Sequence, residues 1–390
     1  MKKLRESVCW LLLALSPAGV AAQEETDPLF GGEESTEEAE IATGRFYGDL
    51  QARYDRIGSL NPLSGITRIE RGRARLRFGW RDTRGNLEYA IAAKLLAGTH
   101  SNADTRAHLD NERADSVELD EAMLRWSFDQ GTQLLLGKTA LPLDLSPMLW
   151  DSDLRPAGIS ASRSVQVGDF DRFSLVGGAF MPMHLYGDDS RLGALQAGYH
   201  WREGAPFSGS VKLAYLDFGN LGDLAHEGLT RSNWRELIRP PGSPPPVSCG
   251  VCHATQGDLV NDFRLLDLQG ELHWTLREEP LVLSVDLVHN LAASQDDLGG
   301  RVGLSYGDWR KPQGMQALIA YQRFQRDAVL AAFSDDDWWF HSNARGVLTS
   351  FGYGIDETWS VHLTYVRDRR DGPFRGGPVE RWLFDVRAHW

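Results

Sequence analysis

After Ala22 the sequence has no apolar run approaching the roughly 18 residues that a membrane-crossing helix requires, so the remainder offers no helix to hold it in a bilayer. Basic residues are in short supply as well. Lys and Arg number 41 against 54 Asp and Glu, a net charge of −13, and a chain this acidic is a poor partner for nucleic acid. Cysteine is scarce: three occur in 390 residues, and with Cys9 in the leader only Cys249 and Cys252 remain. The mean hydropathy of −0.35 suits a water-soluble protein. It suits a membrane barrel equally, because strands that alternate apolar and polar residues hide their lipid-facing surface from any average.

What is present begins with that leader. Met1-Lys2-Lys3-Leu4-Arg5, the apolar run Val8 to Leu15 and the small residues Ala18-Gly19-Val20-Ala21-Ala22 have the order of a secretory signal peptide, residues 1–22. Export leaves the periplasm, the medium or an outer-membrane barrel as destinations. Residues 23–43 follow as an acidic segment, with eight carboxylates and no base between Gln23 and Glu40. Such a segment cannot bury a core and reads as unstructured or peripheral.

From residue 44 onward one pattern repeats. The stretch RGRARLRFGWR sets arginine at 71, 73, 75, 77 and 81, with Ala74, Leu76, Phe78 and Trp80 between them. A helix would scatter these arginines around its circumference; a strand gathers them on one face. In a soluble sheet that face meets solvent, and in a membrane barrel it lines a wet lumen. The rest of the chain decides between the two. Sixteen period-two runs succeed one another from 45–54 to 380–390, the weakest at 158–167. Connections after even runs are brief, such as DTRGN at 82, DQG at 129 and GID at 354, whereas those after odd runs are mostly long, up to 219–262. A sandwich has no reason to sort its loops this way. The expected fold is all-β: a transmembrane antiparallel β-barrel of 16 strands over residues 44–390, set in outer-membrane lipid, with short periplasmic turns and long extracellular loops. In the last run Trp382, Phe384, Val386, Ala388 and Trp390 would face lipid, and Arg381, Asp385, Arg387 and His389 the lumen.

A terminal strand ending on an aromatic resembles the signature by which the bacterial barrel-assembly machinery recognises its clients, here with Trp390 instead of the commoner Phe. The segments SPMLWDSDLRPAG (146–158), AYQRFQRDAVLAAFSDDD (320–337) and RGVLTSFGYGIDETWSVHLTY (345–365) resemble a family of Gram-negative outer-membrane porins of the general-porin type. The resemblance covers about 45–390. It implies one barrel serving as a water-filled channel for passive diffusion of small hydrophilic solutes or ions, not an enzyme, without cofactor, and assembled as a homotrimer. It names no solute. Where that family carries a glycine-rich stretch after the acidic run, this chain has DDDWWFHSN (335–343), so this loop departs from the pattern.

A barrel of this size leaves an aqueous channel, and charges at its constriction set selectivity. Arg71, Arg73, Arg75 and Arg77, with Lys94 and Arg125 on neighbouring runs, make one wall positive. The loop after the fifth run carries Asp144, Asp151, Asp153 and Arg155, and the third loop of general porins folds inward. Either these acids face the arginine wall and set a transverse field, or lumen arginines pair with carboxylates such as Glu88 and Glu121 and stiffen the wall. Asp335, Asp336 and Asp337 with His341 read as a solvated loop suited to a divalent cation, too loose for catalysis.

One motif stands apart. Cys249-Gly250-Val251-Cys252-His253, in the longest loop, matches C-x-x-C-H, which attaches a c-type haem through two thioethers with the His as axial ligand. That loop is proline-rich and has no amphipathic helices to wrap a haem. A local Cys249–Cys252 disulfide, with His253 incidental, suits an oxidising compartment better, and a metal site lacks four clustered ligands. A haem here would make the protein a surface electron carrier, a different functional class.

Overall fold

Runs with one apolar and one polar face, and no helix to cover their edges, satisfy every edge amide in lipid only by closing into a ring. The computed structural model describes residues 44–58, 68–99, 116–182, 190–221, 259, 261–371 and 377–390. Within them lie β1 (Arg45–Gly58), β2 (Ile69–Arg84), β3 (Leu87–Gly98), β4 (Ser116–Ser127), β5 (Thr132–Lys138), β6 (Ala157–Gln166), β7 (Arg172–Met181), β8 (Arg191–Trp201), β9 (Phe207–Gly219), β10 (Phe263–Leu276), β11 (Glu279–Asn290), β12 (Leu298–Gly307), β13 (Met315–Phe324), β14 (Ala344–Gly354), β15 (Trp359–Arg370) and β16 (Val379–His389). All sixteen expected runs are strands, the weak one at 158–167 included. Each strand pairs antiparallel with its sequence neighbours, and β1 pairs with β16 to close the barrel.

The closing seam runs from Asp49 opposite His389 to Gly58 opposite Glu380. Beyond it Gly48 and Trp390 exchange backbone hydrogen bonds of 3.0 and 3.1 Å. A side chain at position 48 would run into the Arg77 carbonyl and the Trp390 ring, so this approach needs glycine.

The two faces separate as the alternation requires. Phe78, Ile91, Leu268, Trp382 and Phe384 point outward and are exposed, while Arg71, Arg77, Asp267, Gln269, Arg381 and Asp385 point inward and are buried. A continuous apolar outer surface of this kind is stable against lipid, not water. Aromatic pairs mark its edge near the short turns: Phe46 on Phe78 at 5.3 Å, Trp80 on Tyr89 at 5.4 Å, Phe207 on Trp274 at 5.7 Å. Tyr365 and Trp382, 4.6 Å apart, stand nearer the long-loop rim.

Two departures from regular alternation shape the lumen. The register shifts between Ala92 and Ala93, leaving Asp120 as an extra residue on β4; Asp120 and Glu121 are therefore both buried on the lumen side, as a β-bulge permits. The second departure is larger. Inward positions in the long-loop half of β8, β9 and β10 are apolar: Leu192, Ala194, Ala214, Leu216, Phe218, Phe263 and Leu265. A water-filled lumen would leave them wet, and two loops cover them.

Candidate functional site

The first of these loops, L3, joins β5 to β6 through residues 139–156. Its leucines at 141, 143, 145, 149 and 154, with Met148 and Trp150, are buried against that apolar wall. Each such side chain contributes about 1.5–3 kcal/mol when fully buried, whereas ion pairs roughly break even against desolvation. The greasy side therefore holds L3 inside the barrel, and its charged side is positioned as a result. Gly137, at φ 121°, marks the point where β5 bends into L3; a Cβ there would strike the Ala122 carbonyl.

The second loop, L7, joins β13 to β14 through residues 325–343 and corrects the reading of that segment as solvated. Ala328, Val329, Leu330, Ala332 and Phe333 are buried in the same core as L3, and His341 is buried with its Nδ1 3.0 Å from the Ala331 carbonyl. The two loops are stitched together: the Asp151 N–H donates to the Phe333 carbonyl at 2.7 Å and the Asp335 N–H to the Pro147 carbonyl at 2.9 Å. The Phe333 ring stacks on Trp150 at 5.3 Å and on Phe218 at 5.5 Å. In physical terms the run AVLAAF is apolar enough to need a core, and the uncovered wall of β8 to β10 supplies one.

With their apolar sides buried, the loops turn their acids toward the opposite wall. Asp153 reaches Arg75 at 2.5 Å and Arg77 at 3.2 Å. Asp336 lies 3.4 Å from Arg73, and Asp337 2.6 Å from Arg53. Acids of the wall itself fill in behind: Asp49 near Arg75 and Arg77, Asp120 at 3.1 Å from Arg77, Asp385 at 2.7 Å from Arg53. Asp55, with no solvent exposure, takes both Arg71 and Arg381. Arg381 also donates to the Asp336 carbonyl, joining the β16 strand to L7.

Both sequence readings of the wall therefore have a counterpart. L3 does meet the arginines, through Asp153, and the arginines are also paired along the wall, with Arg125 at 2.8 Å from Glu88 and Arg81 near Glu88 and Glu121. Lys94 pairs with Glu118 at 3.4 Å. Asp144 goes elsewhere: it is bonded to Lys212 on β9, and its backbone exchanges two hydrogen bonds with the Gln196 amide on β8. Asp151 is buried behind Asp153 and accepts its N–H at 2.8 Å. Arg381 and Asp385 are buried in the lumen as the alternation expects, though it does not bring them to the site. Sequence reasoning missed Arg53 and Asp55, which follow from the same alternation, and the lumen role of Asp336 and Asp337. The L7 pair required knowing that the loop turns inward. Cys249, Cys252 and His253 lie outside the described residues, as do residues 1–43.

The loop acids are strongly perturbed. Burial would raise the Asp153 carboxyl, but Arg75 and Arg77 outweigh it and hold the group far below the usual carboxylate range. Asp151 is pushed well up by burial and by the charges of Asp153, Asp335 and Asp336. Asp335 is pushed up to about 8 by burial and then by Asp337 and Asp336. A carboxyl raised in the folded protein loses its stabilising effect as its proton is drawn off. The interlocked loops should accordingly become less stable from about pH 4, where an ordinary aspartate ionises, to about 8, where Asp335 does. Melting of wild type and Asp335→Asn across that window checks this: the decline should be shallower in the variant.

Asp335, Asp336 and Asp337 bring one carboxylate oxygen each within 4.8 Å of one another, the one such trio among the described residues. Arg73 and Arg53 already stand on Asp336 and Asp337, so two of the three acids are partnered by guanidinium groups.

A closed antiparallel barrel of 16 strands, with short turns at one rim and a loop after the fifth strand folded into the lumen, is the porin fold. Among solved structures it is similar to a high-pH structure of Pseudomonas putida OprB, with a TM-score of 0.57 and 13% identity over 89% of this chain and 94% of the other. It is also similar to Salmonella typhi OmpF in complex with daunomycin (TM-score 0.52, 10% identity, 89% and 97% covered). A third is a loop L8 deletion mutant of OmpT, an outer membrane protein of Vibrio cholerae (TM-score 0.50, 11% identity, 90% and 100% covered). No protein-family profile matches the sequence, and no curated protein does.

Proposed function

We propose that this protein is an outer-membrane channel for passive diffusion of small hydrophilic solutes and ions, its short turns in the periplasm and its long loops at the cell surface. The observation that carries this reading is the charged seam at the level of L3 and L7, where Arg53, Arg73, Arg75 and Arg77 meet Asp153, Asp336 and Asp337 inside the barrel. A polar seam in a lumen otherwise narrowed by apolar packing gives water and solutes a path along it, and its fixed charges act on whatever passes. No residue here is asked to do chemistry.

Single-channel recording of the refolded protein in a planar bilayer under a salt gradient tests the proposal. Steady conductance is the expected result, and its absence from a demonstrably folded barrel would overturn it. Replacing Arg73 and Arg75 together by Gln removes two positive charges from the seam and leaves Asp153 and Asp336 less neutralised. The reversal potential should move toward cation selectivity.

A further inference from the structure

We propose that the arginine seam is a binding site for solute carboxylates, in which Asp153 of L3 is an exchangeable occupant. The idea rests on the channel reading only for the route by which a solute arrives. Two kinds of acid meet these arginines. Asp49, Asp55, Asp120 and Asp385 stand on strands; the last three are almost wholly buried and Asp49, which also meets Arg75 and Arg77, is 19% exposed. Asp153, Asp336 and Asp337 stand on loops. Of these three Asp153 is the most open, its side chain 40% exposed against 14% and 26% for Asp336 and Asp337.

Asp153 nevertheless engages two guanidinium groups at once, Arg75 at 2.5 Å and Arg77 at 3.2 Å. Each guanidinium meets a different oxygen, so the carboxylate bridges the two arginines through charge-assisted contacts. A solute carboxylate arriving from the lumen presents the same group to the same donors, and the Nε of Arg75 is a buried donor with no partner. Asp153 also has another cation within reach. Asp336 repels it from the loop side, and Arg155 lies close enough to attract the released carboxylate.

The wall also suggests the kind of solute. Arg73 lies two residues from Arg75 on the same strand face, about 7 Å away, and its contact with Asp336 is long at 3.4 Å. A short dicarboxylate could hold Arg75 with one end and Arg73 with the other. Because Asp153 competes for the site, the apparent affinity for a solute is lowered by the fraction of time Asp153 occupies it.

Titration calorimetry of the folded barrel in detergent with succinate provides the test, the heat-dependent gel shift of each variant confirming its fold. Wild type should bind, and Asp153→Asn about tenfold tighter, the equivalent of one charge-assisted bond no longer competed for. Asp153→Ala, which removes the side-chain acceptor altogether, should behave the same way. Arg75→Gln should bind at least about tenfold more weakly. Sucrose, a neutral solute, should bind none of the variants differently. Succinate binding that is unaffected by both Asp153 substitutions, or that survives Arg75→Gln undiminished, would overturn the inference. Bilayer recordings on the same preparations keep the two ideas apart: binding without conductance sinks the channel reading and leaves this site standing, whereas conductance without binding does the reverse.

Discussion

Phe333→Ala should release both lumen loops and produce the largest change in conductance of any single substitution. The ring is fully buried, stacks on Trp150 of L3 and on Phe218 of β9, and belongs to the residue whose carbonyl accepts the Asp151 N–H. Truncating a buried phenylalanine costs about 3–5 kcal/mol. Here that loss falls on the loop core, because the barrel is held separately by its ladder of backbone bonds. Single-channel traces should show higher and noisier conductance, while the heat-dependent gel shift of the barrel remains near that of wild type. An unchanged trace would mean that the ion pairs of the seam, not the apolar core, hold L3 and L7 in place.

Asp55→Ala should give the greatest loss of barrel stability. Its carboxylate takes Arg71 at 2.8 Å and Arg381 at 2.7 Å. Removing it takes away the carboxylate that two buried guanidinium groups share across the closing seam, while Arg381 keeps the Asp336 carbonyl. Breaking a buried pair from one side costs about 3–5 kcal/mol, and two arginines are affected. Asp55→Leu combined with Arg71→Met and Arg381→Met should recover much of the loss, because a well-packed apolar replacement of a buried ionic group is often neutral. The midpoint of heat-induced unfolding on gels measures both variants. Equal midpoints for Asp55→Ala and wild type would show that solvent reaches the arginines and neutralises the defect.

Much of this fold can be read from the sequence because a barrel strand carries its own instructions. Arg73, Arg75 and Arg77 alternate with Ala74, Leu76 and Phe78, and no partner is needed to decide which set meets lipid. The bulge at Asp120 is legible too, since the acids at 118 and 120 fall out of phase with Glu121 and Arg125. Loops carry no such period. The resemblance points to the loop that carries Asp153, whereas nothing in the sequence around Asp336 and Asp337 tells their carboxylates from those of a solvated loop. The missing clue lay on other strands. Leu265 beside Leu266, and Leu216 with Phe218 opposite the lipid-facing Tyr215, make both faces apolar, and a strand greasy on both sides inside a pore calls for a cover. The length and greasiness of AVLAAF identify that cover once the need is recognised.

The seam between β1 and β16 also orders events in time. Asp55 and Arg381 are 326 residues apart, so the contact that ties the first strand to the last cannot form until nearly the whole chain has emerged. Contacts so distant in sequence carry the entropy of closing everything between them. Arg381 also holds the Asp336 carbonyl. The strand that completes the ring therefore carries, on one side chain, both the tie to the first strand and a tie to the loop that fills the lumen.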